Sequence, residues 1–312
     1  MRPLDTSVFH PGSPEALAIE RLFYVDLIIA AVIFLTVAGL VAYAAWRFRA
    51  RPGVGEPFQD EGNPRLETIW TVVPAAVLLV LLVLTARTMA IVHPLTGSRS
   101  PDVVVIAHQW WWEYHYPASG VVTANELHMP EGETWLLAIE SADVIHDFWV
   151  PDLGAKEDAI PGRRNFIWID PQRDGTYLGT CAEYCGAQHA LMGIRVIVSP
   201  PARFAAWTES QLRIPPSPAG GEAAEGARAF ERRTCRNCHR IAGTEADGHV
   251  GPDLTHVADR QTLGAGVLEN TPANLAAWIS DPQAFKPGCH MPDMRLSQEE
   301  ARAIATYLEG LK

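Results

Sequence analysis

Two long apolar runs dominate the first third of the chain. Residues from Leu22 to Trp46 are almost wholly apolar, and a second run extends from about Ile69 to Val92. Each exceeds the roughly 20 residues a helix needs to cross a bilayer. The pattern therefore predicts a transmembrane helical hairpin with spans at 22–46 and 69–92. Pro74 and Arg87 interrupt the second run; Pro74 falls in its first turns, where a kink is tolerable. Asp26 lies near one end of the first span and reads as an interfacial residue or one facing a partner subunit. Past residue 99 the period changes. Asp102–Ala107 reads as a buried strand, Thr134–Glu140 and Arg163–Asp170 nearly alternate, and Gly193–Val198 closes the series. Many short strands separated by Pro, Gly and Asp clusters predict an all-β sandwich or barrel over 99–212. Residues 213–221 are a Pro/Gly/Ser linker. Residues 222–312 read as helical. Ser297 and Glu300 form a capping box, opening a helix with Ile304, Tyr307, Leu308 and Leu311 on one face. No internal repeat is found.

Charge refines this division. The 312 residues carry a net −11. Residues 1–100 hold 8 acidic and 8 basic groups, residues 101–212 hold 15 and 6, and residues 213–312 hold 13 and 11. No basic patch supports nucleic-acid binding. The acidic middle segment suits either a basic protein partner or plain solvation. Arg47, Arg49, Arg51 and Arg65 crowd the connection between the spans, against Arg2 and Arg21 in the N-terminal tail. The positive-inside rule puts that connection in the cytoplasm and both chain ends outside, with Trp46 and Trp70 as interfacial aromatics. Residues 1–20 lack the basic start and short apolar core of a signal peptide. Either processing has already occurred or the first span serves as the targeting signal.

The cysteines carry the chemistry. Four of the five form two tight pairs, Cys181/Cys185 and Cys235/Cys238, and Cys289 is left over. The first pair stands in Cys181-Ala-Glu-Tyr-Cys185-Gly-Ala-Gln-His189-Ala-Leu-Met192. Thiolate, imidazole and thioether together suit copper, and a single blue-copper site uses one Cys, two His and a weak Met. Two thiols are one more than that, and two bridging thiolates suit a pair of coppers. The second imidazole comes from elsewhere, with His146 the best candidate. A Cys181–Cys185 disulfide is the bland alternative in an exported domain, and it leaves the His and Met spacing unexplained. The second pair stands in Cys235-Arg-Asn-Cys238-His239, the attachment signature of c-type haem. Zinc would need a second ligand pair, for which only His249 and His256 are near. A low-spin haem takes a second axial ligand, and Met raises its potential. Candidates stand in Lys286-Pro-Gly-Cys-His290-Met291-Pro-Asp-Met294.

The motif Cys-x-Glu-x-Cys-Gly-x-x-His-x-x-Met resembles the dinuclear CuA centre of haem-copper oxidase subunit II. The resemblance implies His146 and His189 as terminal ligands, Cys181 and Cys185 as bridges, Met192 as a weak ligand and Glu183 as a carbonyl ligand. It implies a cupredoxin-like sandwich. The segment His108-Gln-Trp110-Trp111-Trp112 is similar to one lying over that centre, which makes Trp110 the point where electrons enter and puts the fused haem near it. Asp152–Asn165 also resembles the family, and implies that Asp158 and the Glu183 side chain approach a Mg²⁺ at the subunit I interface. Residues 222–312 resemble a class I cytochrome c. That implies Met291 as the axial ligand, ahead of Met294 and His290. Gly226, Phe230 and Tyr307 match the crossing of first and last helices, and Gly251-Pro252-Asp-Leu254 the loop facing the haem-binding His. Cys289 reads as a small filler. His10, His93, His108, His115, His128, His249 and His256 read as structural or exposed, and no spacing groups them.

The order of segments looks like subunit II of a caa3-type cytochrome c oxidase, a multidomain membrane protein of the bacterial inner membrane. The copper and haem domains then face the periplasmic side. The implied path runs from an external cytochrome c or similar donor to haem c, to dinuclear copper, and on to haem a and the oxygen site in subunit I. Membrane lipid, subunit I and subunit III are the implied partners. No residues here could host the oxygen site, so oxygen reduction and proton translocation belong to the complex. Another CuA enzyme, such as nitrous oxide reductase, would need more His and propeller repeats. A copper-delivery protein would need neither Trp110, haem nor anchors. A quinol oxidase subunit II would lack the copper ligands.

Overall fold

The computed structural model describes residues 7–53, 55, 62–93 and 99–312. Arg2 and the 94–98 boundary of the expected hairpin lie outside them. The chain divides into two compact units, Leu17–Pro94 and the remainder.

The hairpin unit holds α1 (Pro14–Arg47) from Leu17 onward and α2 (Pro64–Val92), both helices long and apolar enough to cross a membrane. α2 opens on Asn63, whose side chain accepts from the Arg65 and Leu66 amides, with Pro64 at the first helical position. Proline is tolerated there because its missing N–H would have no intrahelical partner. α1 starts well before the expected span, because Ser13 caps the Ala16 amide at 3.0 Å and Pro14 again sits at the first position.

In the larger unit, residues 103–199 form a sandwich of two five-stranded sheets. β1 (Val103–His108), β2 (Trp111–Tyr116) and β3 (Val121–Ala124) share one sheet with β5 (Trp135–Ser141) and β8 (Asn165–Ile169). Its order is β3-β2-β1-β5-β8. The second sheet takes β4 (Glu126–Pro130), β6 (His146–Trp149), β7 (Glu157–Ala159), β9 (Gly175–Cys181) and β10 (Gly193–Ser199), in the order β4-β10-β9-β6-β7. β1 is not the fully buried run expected. Val103, Val105 and Ala107 point into the core, while Val104 and Ile106 are half-buried on the outer face. The aromatic run alternates likewise. Trp112, Tyr114 and Tyr116 fill the core, and Trp111 turns outward to stack on His108 with ring centroids 4.2 Å apart.

A helix the periodicity did not predict, α3 (Pro201–Gln211), follows β10. Phe204 packs on Trp135, and Trp207 packs on Tyr116 and stacks on His128 at 4.0 Å. Burial there pushes the His128 imidazole down to about 3.

The helical part opens with α4 (Gly221–Arg232) and a tight turn at Cys235–Asn237. It continues through a small ribbon, β11 (Thr262–Leu263) with β12 (Leu268–Glu269), to α5 (Pro272–Ser280) and α6 (Pro282–Phe285). It ends in α7 (Gln298–Glu309), whose Ser297–Glu300 capping box is formed in both directions. α4 crosses α7 at Gly226, where a Cβ would lie 1.9 Å from the Ala303 carbonyl oxygen. Only glycine permits so close an approach. Beside the crossing, Phe230 meets Tyr307 edge to face at 6.1 Å. Ile241, Val257, Leu275, Ile279 and Ile304 complete that core.

Candidate metal and haem centres

Strand pairing assembles the first site. β6 pairs with β9 so that Phe148 opposes Cys181, which carries His146 to the mouth of the loop joining β9 to β10. That loop supplies Cys185, His189 and Met192. The Cys181 and Cys185 sulfurs lie 3.8 Å apart. A disulfide needs about 2.05 Å, so both thiols stay free. Each has its own imidazole: His146 Nδ1 is 3.8 Å from Cys181 Sγ, and His189 Nδ1 is 3.6 Å from Cys185 Sγ. Met192 Sδ lies 3.9 Å from Cys185 Sγ, and the Glu183 carbonyl oxygen 3.2 Å from Cys181 Sγ. Two thiols, two imidazoles, a thioether and a carbonyl oxygen thus line one end of the loop, and the set suits copper. Among the described residues, His146, Cys181 and Cys185 are the cluster tight enough to hold a metal ion.

Charge and hydrogen bonding prepare these donors. A bond with the Cys185 thiol, working against burial and helped by His146, holds the Cys181 thiol well below the ordinary thiol range. The same bond pushes Cys185 up. Asp143 Oδ1 accepts from His146 Nε2 at 2.8 Å. A carboxylate can only accept, so Nε2 carries the proton and Nδ1 presents its lone pair to the site. No motif in the sequence marks Asp143, although it stands three residues before a candidate ligand.

Trp110 joins the loop directly. Its indole N–H donates to the Cys185 carbonyl at 2.9 Å, and Gln109 Nε2 donates to the same oxygen at 2.8 Å. Gly186, at φ +113°, lies beneath them, where a Cβ would crowd the indole at 3.1 Å. Trp110 is only 7 % exposed. The loop between α6 and α7 lies against it: the His290 ring centroid is 5.0 Å from that of Trp110, and Lys286 Nζ donates to the Trp110 carbonyl at 2.9 Å.

Asp158 and Glu183 are both exposed, and the Glu183 carboxylate accepts from the Tyr184 amide at 3.2 Å. Asp158 faces Asp147 across β6 and β7. Burial and the bond to Asp158 raise the Asp147 carboxyl to about 7. Asp147 is a second residue that no motif marks, its position beside His146 being the available signal. A third is Glu113. His108 and His115, read as ungrouped, both bond it at 2.9 Å, because alternate residues of a strand share one face.

At the second site, the turn at Cys235 places the His239 amide on the Cys235 carbonyl at 3.0 Å. His239 Nδ1 donates to the Pro252 carbonyl at 2.8 Å, which leaves the Nε2 lone pair for iron. Burial pushes this imidazole down, so it stays neutral as a ligand must. A Cβ at Gly251 would lie 2.6 Å from its ring. Arg260 Nε and both His256 ring nitrogens are buried without a hydrogen-bond partner. Haem brings two carboxylates, which a buried guanidinium suits, so these residues fit the group. Met291 and Met294 are both half-buried. Gln283, not singled out in the sequence, fixes the loop: its Nε2 donates to the Cys289 and Met291 carbonyls at 2.9 Å each, and its Oε1 accepts from the Gly288 amide at 2.7 Å. Cys289 fills space beside that amide.

The chain matches three family models: the transmembrane domain of cytochrome c oxidase subunit II over residues 5–87, its periplasmic domain over 119–199, and cytochrome c over 223–312. Cytochrome c oxidase subunit 2 of Alkalihalophilus pseudofirmus is 34 % identical over 99 % of this chain and 91 % of that protein. Its counterpart in Bacillus subtilis is 34 % identical over 86 % and 82 %. The crystal structure of the periplasmic domain of subunit II of cytochrome oxidase from Bradyrhizobium japonicum is 32 % identical, covers 36 % of this chain and 95 % of that one, and superposes with a TM-score of 0.35. The copper-type donor set and the haem attachment turn agree with these matches, and the chain belongs to the cytochrome c oxidase subunit II family, in the form with a cytochrome c domain on the same polypeptide.

Proposed function

We propose that the chain passes electrons from a haem c held by Cys235, Cys238, His239 and Met291 to a dinuclear copper centre. His146, Cys181, Cys185, His189, Met192 and the Glu183 carbonyl hold that centre. The observation that carries this is the pair of free thiols 3.8 Å apart, each with its own imidazole. When bound, the two groups supply reversible one-electron chemistry. The residues hold them in fixed environments: Asp143 orients His146, Pro252 orients His239, and Trp110 bonds the copper loop. A full donor set leaves no open position for substrate, as in a carrier. From the copper centre electrons go to haem a and the oxygen site of subunit I, so the chain acts within a caa3-type oxidase beside subunits I and III.

The division proposed is a hairpin at 1–98, a copper domain at 99–212, a linker at 213–221 and a haem domain at 222–312. The arginines at 47, 49, 51 and 65 support a cytoplasmic connection, with both metal domains on the periplasmic side of a bacterial inner membrane. Asp158 and Glu183 are the acids for a Mg²⁺ shared with subunit I. An external cytochrome c or a similar carrier is the donor.

The test is EPR and metal analysis of the full chain in detergent, matured with haem and copper. Two coppers per chain and hyperfine lines from two equivalent nuclei are expected; one copper with a blue-copper signal overturns the dinuclear assignment. Met291→Leu removes the low-spin Met-ligated haem band and Met294→Leu leaves it. The reverse result reassigns the ligand.

A further inference from the structure

The loop between α6 and α7 does more than carry Met291. Next to that residue, His290 lies against Trp110 at 5.0 Å between ring centroids, tilted by 51°. Trp110 in turn bonds the carbonyl of Cys185 at 2.9 Å. An unbroken run of contacts therefore joins the haem loop to a copper ligand. Two buried polar groups join the domains, one of them at the start of this loop. Lys286, 3 % exposed, donates to a carbonyl in each domain, Trp110 O at 2.9 Å and Gly264 O at 3.1 Å. Glu126, 1 % exposed at the start of edge strand β4, accepts from the Gln261 amide at 2.9 Å, the Thr262 amide at 2.8 Å and the Thr262 hydroxyl at 3.0 Å. Gln188 also donates to the Pro287 carbonyl, and Gly193 N to the Ala265 carbonyl at 3.0 Å.

A buried carboxylate or ammonium is costly unless its hydrogen bonds are met. All the bonds of Glu126, and one of the two of Lys286, exist only while the two domains touch. Separating them would strand Lys286 and Glu126 or rehydrate them, so the contact is specific in geometry and not merely a consequence of tethering.

We propose that Glu126 and Lys286 latch the haem domain onto the copper domain in one fixed pose, and that His290 is the residue through which electrons pass from the haem to Trp110. With both groups bound the step would be a one-electron transfer, the haem iron giving up one electron and the copper centre gaining it, with no bond or proton moved. This rests on Met291 as the second iron ligand.

Two measurements on the matured full chain test it: the rate of haem-to-copper transfer after a reducing flash, and hydrogen exchange at the Gln261 and Thr262 amides. The His290 side chain is exposed, so its replacement spares the fold. His290→Ala slows transfer by roughly tenfold or more, a scale typical of lost positioning. Its amides stay protected and both metal spectra are unchanged, while His290→Phe, which keeps a ring against Trp110, recovers most of the rate. Glu126→Ala slows transfer and speeds exchange at both amides. An unchanged rate in His290→Ala overturns the transfer role, and unchanged exchange in Glu126→Ala overturns the latch. Loss of the low-spin haem spectrum in His290→Ala would instead show that His290 ligates the iron. That outcome overturns the Met291 assignment and the proposal with it.

Discussion

Asp143 shows how much of the copper site depends on a residue that touches no metal. It accepts from His146 Nε2, and its carboxylate also takes the Gln109 and Val144 amides at 2.6 Å each. Removing its charge while keeping its shape should loosen the imidazole without unfolding the loop. Asp143→Asn is therefore expected to lower copper affinity by about 10–100-fold, read by competition with a copper chelator. Glu113 makes a pH prediction. Burial alone would push its carboxyl up, but hydrogen bonds and charge from His108 and His115 hold it down at about 2. Its folded value lies below the ordinary 4.5 of a glutamate, so its contribution to stability is full above about pH 4.5 and is lost as pH falls through about 2. Melting curves of the wild type and Glu113→Gln should differ above pH 4.5 and converge toward pH 2. A constant gap between the curves would mean the carboxylate is not held by those imidazoles.

At the scale of elements, the two metal domains use different devices. The sandwich places its ligands by strand register, since a one-residue slip between β6 and β9 would turn His146 to the other face. The haem domain holds His239 by the Cys235 turn and the Pro252 carbonyl, and is closed by a helix crossing that only a missing side chain allows. Gly226→Ala drives a methyl into the Ala303 carbonyl. Overpacking of this kind costs about 1–3 kcal/mol. The haem domain of the full chain should therefore unfold at lower denaturant, followed at the haem band, while copper binding is unchanged. α3 adds an aromatic brace outside the sandwich, in which Trp207, Phe204 and Trp135 cover Tyr116. Its burial of His128 explains why that histidine stays neutral and structural.

For the whole molecule, orientation follows from charge. If the connection between α1 and α2 is cytoplasmic, trypsin should cut at Arg47–Arg65 only in inverted membrane vesicles. Cleavage there in right-side-out vesicles would reverse the topology and put both metal domains on the wrong side for a periplasmic donor. The acidic copper domain, at 15 acidic to 6 basic residues, suits a basic donor or interface.

What the sequence determined by itself is whatever depends on local spacing. A thiol pair, an imidazole and a thioether within one loop announce a soft-metal site, Cys-x-x-Cys-His announces haem, and two long apolar runs announce a membrane hairpin. Each needs only neighbours along the chain. The tertiary structure decided what depends on distant segments meeting. Strand pairing joined His146 to Cys181, grouped Asp147 with Asp158, and put His108 and His115 on one carboxylate. Packing buried Lys286 and Glu126 between domains and set His290 against Trp110. No periodicity encodes those contacts, because residues far apart in sequence are brought together by register and close packing, which act only once the domains have formed.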